Sequence, residues 1–548
     1  MYRRTKRQVS LLDPAGSLPE SARARLLASW AEGFRSDVFP VLLSVEDEFR
    51  DLYGEEGRPN WSVARMLGVL LLQEMLSVSD QVALDALSFD LRWQRALALD
   101  PADAYLSRRS LIAFRSRLVS KDPDGTRVRA VFARLATAAR AGLGVTFTDL
   151  RLDSTHVASN IRTRGRYDLF ASTLELFVRT IARQFPDALP LVPSALRTWL
   201  DEPGDGAFGI AGAAEARSRL PQLARWLVHL RDAFAGVPGV MDGEPYALVR
   251  RVVEEHIRVT PPEGDGGDGG GGGEPTIEVR KPANPSSSLQ SPHDPDAGFG
   301  HKGVGFEVRV AETCNNSGPE LILDFAVQRS GETDHGQAAV VLDRLQEQGI
   351  APHTLFVDRG YTSPEAIEDA EARGVDLHGP VSRGPLPADV VGRDRWTLDP
   401  TTGLLSICPA NHPVERHAER TNPNGVRTRH AYVNGQHCRA CPLNGTCLVR
   451  APNNGKAGSF HIEDRHALLL RDRRLALAKD PGWKTRYRIR SGSEATNSEL
   501  KRKHGMGRLR VRRRPRVVLA VTFKIAACNV KRWLRGRRSE AAAAVTTP

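Results

Sequence analysis

The chain has 548 residues, of which 41% are hydrophobic and 26% are charged, so it can form the cores of two to four domains. It has no run of about 20 apolar residues, which excludes a conventional membrane-spanning helix, and its basic N-terminus does not lead into the apolar core of a signal peptide. Six cysteines are too few for a secreted disulfide framework of this length. We therefore expect a soluble, cytoplasmic protein with no membrane partner.

The formal net charge of +12 is concentrated near the C-terminus. Residues 484–538 contain 19 Lys and Arg against two Glu, a net charge of +17, whereas the rest of the chain is net negative. This density of Lys and Arg is typical of binding to a polyphosphate such as double-stranded DNA. A disordered basic tail is the alternative, but the apolar run from Val517 to Ala527 favours a buried element.

The first 140 residues are predicted to be helical. Their periodicity indicates helices over residues 62–76, 79–99 and 107–118, with Ser62 as the N-cap of the first. A small helical bundle can bind DNA ends, and it can equally serve docking or dimerisation. The sequence leaves both functions open.

A strand is predicted from Val145 to Asp153, because apolar and polar residues alternate there. Asp149 lies on the same face of this strand and competes with Asp153 for a role in catalysis. The following residues, 161–289, are interpreted as a helical insertion that contains a glycine-rich linker at 264–273.

A second acid, Asp358, follows another predicted strand. The elements leading to it are strands over 305–310 and 321–327, a helix over 336–348, and a strand over 354–357. Gly360 then permits a turn, and Ser363 is a plausible helix cap. An acid at the carboxyl end of a strand faces the crevice in which α/β folds place their chemistry, although it can also simply begin a turn.

A group of four cysteines suggests a structural zinc site. They form the pattern Cys-x29-Cys-x2-Cys-x5-Cys, with members Cys408, Cys438, Cys441 and Cys447. Four thiolates can close a tetrahedral Zn²⁺ site around a Cys-x2-Cys knuckle. His412, His417 and His437 are alternative ligands, and four unliganded cysteines in a loop remain the other interpretation. Cys314 and Cys528 are expected to be buried thiols.

Near the C-terminus, Tyr487, Arg490, Glu494 and Lys501 form a Tyr-x2-Arg-x3-Glu-x6-Lys pattern. In one continuous helix these offsets correspond to a single narrow face, so a carboxylate would be flanked by two cations and a phenol. Such a face suits a phosphate near a metal. Alternatively, Ser491 and Glu494 form a capping box, in which case the helix begins at Ser491 and the single face is lost.

Together these patterns resemble the DDE transposases of bacterial insertion sequences, in the subgroup with the Tyr-x2-Arg-x3-Glu-x6-Lys signature. The similarity covers roughly residues 40–535. Besides the signature, it rests on the helical N-terminal region and on the blocks 152–156, 291–314 and 358–361.

The resemblance implies an α/β fold with an RNase H-like mixed-sheet catalytic core, in which Asp153, Asp358 and Glu494 hold two Mg²⁺ (or Mn²⁺) ions. The residues that would contact DNA are Tyr487, Arg490, Lys501, Arg510 and Arg512. The implied organisation is a helical N-terminal domain (1–140), a core from 141–160 and 290–392, a helical insertion (161–289), a Cys-rich, zinc-ribbon-like insertion (393–465), the last catalytic helices with the basic region (466–538), and a disordered tail (539–548).

The implied function is to bind the ends of the element, cleave DNA by two-metal phosphoryl transfer and join the ends to target DNA. The partner would be double-stranded DNA, bound by a homodimer in the nucleoid of a bacterial cytoplasm. Two other functions stay open: a DNA-binding regulator or inactive relic, and an RNase H-like metal-dependent nuclease without strand joining. A hydrolase of a small phosphorylated molecule is disfavoured, because it would not need the basic block.

Overall fold

The computed structural model describes residues 1–5, 14–57, 59–161, 165–202, 212–261, 275–384, 389–421, 425, 427–451 and 458–546. The glycine-rich linker predicted at 264–273 lies outside these residues. In the described ranges no single helix is long and apolar enough to cross a membrane; one pair of helices, Val63–Leu76 and Asp80–Phe89, passes such a test only together, across a bend of 113°.

The N-terminal region is helical, as predicted. Its helices are α1 (Glu20–Leu27), α2 (Trp30–Gly33), α3 (Phe39–Ser44), α4 (Val63–Leu76), α5 (Asp80–Phe89), α6 (Leu91–Ala96), α7 (Arg108–Lys121) and α8 (Thr126–Leu143). The Ser62 hydroxyl accepts a hydrogen bond from the Arg65 amide and caps α4, which confirms the predicted cap. The helix predicted over 79–99 is broken at Asp90, whose extended backbone ends α5 and whose carboxylate caps α6.

Strand β1 (Asp149–Ala158) is followed by a helical segment with its own apolar core. Its elements are α9 (Arg166–Gln184), α10 (Ser194–Asp201), α11 (Ala213–Ala233), α12 (Glu244–His256) and the hairpin β2 (Ile257–Thr260) and β3 (Thr276–Val279). Phe170, Phe177 and Phe234 are fully buried in this core, which is separate from the main one. The chain leaves β1 here and returns to the same sheet later.

The central feature is a six-stranded mixed sheet around β1. The remaining strands and the helices between them are β4 (Gly298–Gly300), β5 (Gly303–Thr313), β6 (Ile322–Arg329), α13 (Gln337–Glu347), β7 (Thr354–Phe356), α14 (Pro364–Ala372) and β8 (Asp376–His378). The order is β6-β5-β1-β7-β8, with β4 paired to the beginning of β5. Strands β1, β5 and β6 are antiparallel, whereas β1, β7 and β8 are parallel.

The prediction that the first strand ends at Asp153 is wrong. Strand β1 continues to Ala158, because β5 pairs with it from Leu150 to Ala158. The parallel neighbour β7 pairs only with residues 149–151. Asp153 therefore lies inside β1 but beyond the end of its parallel partner.

Two smaller sheets, of two and three strands, and five α-helices complete the described chain. The elements are β9 (Thr397–Leu398), β10 (Leu405–Ile407), β11 (Arg416–Thr421), β12 (Arg427–Asn434), α15 (Gly435–Ala440), β13 (Ser459–Glu463), α16 (His466–Leu477), α17 (Pro481–Tyr487), α18 (Gly492–Lys503) and α19 (Arg514–Thr546). Helix α19 includes residues 539–546, which the sequence predicted to be a disordered tail; four consecutive alanines there favour helix.

One apolar cluster runs through the N-terminal helices, the mixed sheet and α19. The rings of Phe132 on α8 and Phe325 on β6 meet edge to face, with centroids 5.1 Å apart. Val517 and Ile525 on α19 are buried in the same cluster, which confirms a buried element within the basic block. The N-terminal helices and the sheet therefore share one core.

A buried ionic network joins the sheet to the last two helices. Glu312 on β5 is 1% exposed and accepts hydrogen bonds from Arg151 Nε on β1 (2.8 Å), Thr496 Oγ1 on α18 (2.7 Å) and Arg532 Nη1 on α19 (3.2 Å). Arg151 Nη1 also donates to the Ile489 carbonyl just before α18 (3.2 Å). Because charged groups without partners are costly inside a protein, this network ties β1, β5, α18 and α19 together.

We predict that Glu312→Ala lowers the free energy of unfolding by about 3–5 kcal/mol, because Arg151 loses its buried counter-charge and Arg532 keeps only Glu499. Urea unfolding followed by circular dichroism measures this loss. The matched control is Glu419→Ala, which removes the exposed ion pair with Arg427 and leaves the unfolding midpoint unchanged. Equal midpoints for the two variants would contradict the role given to the network.

Candidate active site

Two acids that are far apart in sequence meet beside β1. Asp153 lies on β1 just past the residues paired with β7, and Asp358 follows β7 by two residues. The carboxyl ends of parallel strands lie at one edge of a sheet, so the two side chains face the same space. Burial raises the pKa of Asp358, and the negative charge of Asp153 raises it further, as expected for neighbouring carboxylates.

Asp358 is held by the turn that follows it. The Gly360 amide donates a 2.8 Å hydrogen bond to Asp358 Oδ1, and the Tyr487 hydroxyl donates to the carbonyl of the preceding Val357 at 3.1 Å. A Cβ added at Gly360 would lie 3.1 Å from Asp358 Oδ1 and 3.3 Å from Asp334 Oδ2. Both carboxylates therefore pack against this glycine.

Helix α18 lies against the carboxylate of Asp153. Ser493 Oγ and Asn497 Nδ2 each lie 3.1 Å from Asp153 Oδ2, within hydrogen-bond distance. Arg490 Nη1 lies 3.4 Å from Asp153 Oδ1 as an ion pair. The close approach depends on Gly492, because a Cβ there would overlap the Arg151 guanidinium, 1.8 Å from Nη1.

Glu494 lies in the first turn of α18, next to Ser493, and its side chain is exposed. In the part of the chain that the structure describes, its carboxylate forms no hydrogen bond or ion pair, so the structure does not join it to Asp153 or Asp358. The capping-box alternative is wrong, because Ser491 has helical backbone angles and its side chain caps nothing, donating instead to the Arg488 carbonyl at 2.8 Å. Glu494 is therefore not engaged as a helix cap.

The single-face prediction for the signature holds only in part. Helix α17 passes into α18 through a 3₁₀ turn, Arg488–Ser491, so the chain is helical from Pro481 to Lys503 but not uniformly α-helical. A 3₁₀ helix has about three residues per turn instead of 3.6. The side chains of Tyr487 and Arg490 are therefore rotated around the helix axis relative to those of Glu494 and Lys501. Arg490 nevertheless contacts Asp153. Burial and then the charge of Lys302 lower the pKa of the exposed Lys501, and the charge of Asp153 partly opposes this lowering.

The two predicted DNA-contacting arginines before α19 have different surroundings. Arg510 is exposed, whereas Arg512 is half-buried and its Nε donates to the Asn160 carbonyl at 2.8 Å. The turn before α19 contains a positive φ, the backbone conformation that glycine usually adopts. Arg513 adopts it, with a φ of 72°, and its amide donates a hydrogen bond to Asp294 at 2.8 Å.

Asp149, the alternative to Asp153, is the first residue of β1, four residues before Asp153. Its Oδ2 accepts a 3.2 Å hydrogen bond from Asn315 Nδ2. Asp153, by contrast, lies close enough to Asp358 that its charge adds to the effect of burial in raising the pKa of Asp358.

Two groups around the acids were not predicted from the sequence. Ser493 and Asn497 could have been found, since they lie one residue before and three residues after Glu494 on a predicted helix. Asp334 could not, because it lies in the turn between β6 and α13 with no motif around it. Its carboxylate pairs with the buried Arg309 (Nε–Oδ1 2.9 Å), and its charge helps to raise the pKa of Asp358.

The four predicted zinc ligands do come together. Cys408, Cys438, Cys441 and Cys447 line one cavity of about 20 Å³, together with His412. The His412 and Leu443 amides donate to Cys408 Sγ (3.3 Å) and Cys441 Sγ (3.4 Å). Burial and then the three neighbouring thiols raise the pKa of Cys438 to about 11.

The three histidines predicted as alternative zinc ligands have different surroundings. The ring of His437 stacks on His412 with centroids 4.3 Å apart, whereas His417 pairs with Asp464 at 3.0 Å. Among the described residues, no three of the cysteine sulfurs lie within 4.8 Å of one another.

Another group of ligand-type side chains, Glu499, His504 and Cys528, does lie within 4.8 Å. Its electrostatics oppose a cation: Glu499 is already paired with Arg532 at 3.0 Å, and Lys531 faces the same group. Burial lowers the pKa of His504 to about 4, so its ring is neutral. Cys314 and Cys528 are both buried, as predicted.

Comparison with known families adds a separate observation. A family model described as "Transposase DDE domain" matches residues 407–534, a range that includes α18 and Glu494. A second, described as "Transposase domain (DUF772)", matches residues 34–117 in the N-terminal helices. The two matches support a family of DDE transposases. Searches among curated proteins and among solved structures found no match.

We predict that Asp358→Asn stabilises the metal-free protein at neutral pH. Because burial raises the pKa of Asp358 in the folded state, the stability that this carboxyl contributes is present at acid pH and is lost as pH rises through the raised pKa. The neutral asparagine avoids this loss. Thermal unfolding in EDTA should show a higher Tm for the variant at neutral pH and a gap that closes at acid pH.

The control for this comparison is Asp242→Asn, at an exposed aspartate, which should leave Tm unchanged at every pH. A lower Tm for Asp358→Asn at neutral pH would mean that Gly360 and Arg490 stabilise the carboxylate more than burial penalises it.

Proposed function

We propose that the protein is a DDE transposase, which binds the ends of its insertion sequence, cleaves DNA by phosphoryl transfer and joins the ends to target DNA. The observation that carries the proposal is the meeting of Asp153 and Asp358 beside β1, under the helix that carries Glu494. The strand order β6-β5-β1-β7-β8, with antiparallel strands on one side of β1 and parallel strands on the other, supports an RNase H-like catalytic core.

The donor set fits hard divalent cations. Carboxylate oxygens are the protein ligands that Mg²⁺ and Mn²⁺ prefer. Burial and then the charge of Asp153 raise the pKa of Asp358, and a cation between the two carboxylates would relieve both effects. Asp153, Asp358 and Glu494 would hold two such ions. When bound, the pair activates a water or 3′-hydroxyl and stabilises the leaving oxygen.

The chain's own residues orient these ligands. Ser493 and Asn497 fix the carboxylate of Asp153, and the Gly360 amide fixes that of Asp358. Glu494 has a long side chain in the first turn of α18, next to Ser493, so a rotamer change can turn its carboxylate toward Asp153.

Positive charge near the acids would bind the phosphodiester. Arg490 Nη1 forms an ion pair with Asp153 but, within the described structure, has no hydrogen-bond partner, so it could donate to a phosphate oxygen bound beside Asp153. Tyr487 and Lys501 lie on the same helical run, and Arg510 and Arg512 extend the basic surface toward α19. The partner is double-stranded DNA, held by a homodimer because two element ends must be joined.

We predict that Asp358→Ala and Glu494→Gln each slow DNA cleavage by on the order of a hundredfold or more, because each removes a group needed in the transition state. The assay uses labelled duplexes that carry the sequences flanking the gene, incubated in Mg²⁺ or Mn²⁺. Glu347→Gln, at an exposed glutamate at the end of α13, is the control and should cleave at the wild-type rate.

The same assay separates the alternatives. Binding without cleavage by the wild-type protein would favour a DNA-binding regulator or an inactive relic. Cleavage that never yields joined products would favour a nuclease. Wild-type cleavage by Glu494→Gln would remove this residue from the metal site and leave the two aspartates.

The Cys-rich insertion is proposed to hold one structural Zn²⁺. Four thiols around a cavity of about 20 Å³ fit a single ion, and amide hydrogen bonds already point at two of the sulfurs. Burial and then the neighbouring thiols disfavour the thiolate of Cys438, and a zinc ion would relieve both effects while drawing the sulfurs together.

We predict about one zinc per chain by elemental analysis, lost in Cys438→Ser and retained in the matched control Cys314→Ser. Substitution with Co²⁺ gives an independent readout, since thiolate coordination produces a charge-transfer absorption band. Purified protein without zinc, and without that band after Co²⁺ addition, would show that the four cysteines are unliganded.

A further inference from the structure

The β4–β5 hairpin carries an exposed histidine and an exposed lysine beside the end of β1. His301 and Lys302 form its two-residue tip, since Gly300 pairs with Gly303. The hairpin adjoins β1 directly, because Gly305 pairs with Ala158. Neither His301 nor Lys302 belongs to the Tyr-Arg-Glu-Lys signature or to the basic block.

Close backbone packing fixes the hairpin in place. A Cβ added at Gly305 would lie 2.2 Å from the Val157 carbonyl oxygen. On the other side, Gly331 has a φ of 85°, and a Cβ there would lie 2.3 Å from the Phe299 carbonyl oxygen. Since such distances exclude any side chain, the hairpin is held between β1 and the turn after β6, and its tip has a defined position.

Two further basic residues, one of them a lysine, converge on the same place. His156 on β1 lies under the hairpin: its Nδ1 is 3.1 Å from Ser330 Oγ, and a Cβ added at Gly303 would lie 3.9 Å from its Nε2. Lys501 packs beside Gly507, whose carbonyl accepts a hydrogen bond from the last residue of β1.

The resulting set, His156, His301, Lys302 and Lys501, is here named the hairpin cation cluster. Burial lowers the pKa of His156, and the charges of Lys501, Lys302 and His301 lower it further. The charge of Lys302 also lowers the pKa of Lys501. These mutual effects agree with the geometry that places the four side chains together.

Across the residues that the structure describes, His301, Lys302 and Lys501 form no ion pair. Two acids lie near the lysines: Glu307 is buried with a raised pKa, due mainly to burial, and Asp153 forms its ion pair with Arg490. Exposed lysines that are held at a fixed surface without an ion pair favour binding of an anion.

We propose that the hairpin cation cluster binds a backbone phosphate of the DNA duplex, adjacent to the phosphate that is cleaved at Asp153, and that Lys302 makes this contact. The anion is a phosphodiester because the cluster continues, through Lys501, the cationic surface beside the acids. The inference rests on the proposed function, and it assigns to the hairpin the placement of the strand on one side of the cleavage site.

The test measures DNA binding, not cleavage, in EDTA. Fluorescence anisotropy with the duplex used above gives the slope of log K against log salt for the full-length protein. Lys302→Ala should weaken binding and reduce this slope by about one, because one phosphate contact is lost. Lys302→Arg, which keeps the charge, should retain the wild-type slope, and Lys479→Ala, at an exposed lysine after α16, should change nothing.

The outcomes separate this inference from the proposed function. A wild-type slope for Lys302→Ala would overturn the inference even if the protein cleaves DNA. An equal loss in Lys302→Arg would also overturn it, because the charge would not be what matters. A wild-type protein that binds the duplex but never cleaves it contradicts the proposed function and leaves the slope test valid. A wild-type protein that binds no duplex overturns both.

Discussion

Glu312 is the residue on which the geometry of the site depends. It is buried on β5 and satisfies Arg151 on β1, Thr496 on α18 and Arg532 on α19. These contacts hold α18 across β1, and only then do Ser493 and Asn497 reach Asp153. A buried charge network of this kind is weak evidence for added stability, but it specifies one arrangement, because any other packing would leave buried charges unpaired.

The site itself holds charges that the protein does not neutralise. On the acidic side, Asp153, Asp334 and Asp358 lie close enough to raise the pKa of the last. On the basic side, burial and then the charge of Lys302 lower the pKa of Lys501, and neither lysine forms an ion pair within the described residues. Both arrangements cost folding free energy in the isolated chain, and both are relieved by ligands of the opposite charge. A divalent cation and a DNA phosphate are the pair of ligands that would relieve both.

Local patterns predicted much of the secondary structure and the two buried cysteines. The caps at Ser62 and Ser363, the paired strands β5 and β6, and helix α13 were all predicted, because caps and periodicity act over a few residues. The junction of α17 and α18 was not. Both a capping box and a continuous helix were compatible with Ser491 and Glu494. In the structure Gly492 packs closely against Arg151, and the chain stays helical through this junction, with a 3₁₀ turn between α17 and α18.

The sequence by itself determined which residues could do the chemistry: the order of Asp153, Asp358 and Glu494, the basic block, and the spacing of the four cysteines. Only the tertiary structure decided which of them meet. Asp153 lies within a strand because β5 pairs past it, Glu494 is exposed while Asn497 contacts the aspartate, and Lys302 is brought to Lys501 by a hairpin nearly two hundred residues earlier. The physical reason is that spacing constrains neighbours along one helix or strand, whereas contacts between distant residues depend on strand register and on buried charges finding partners.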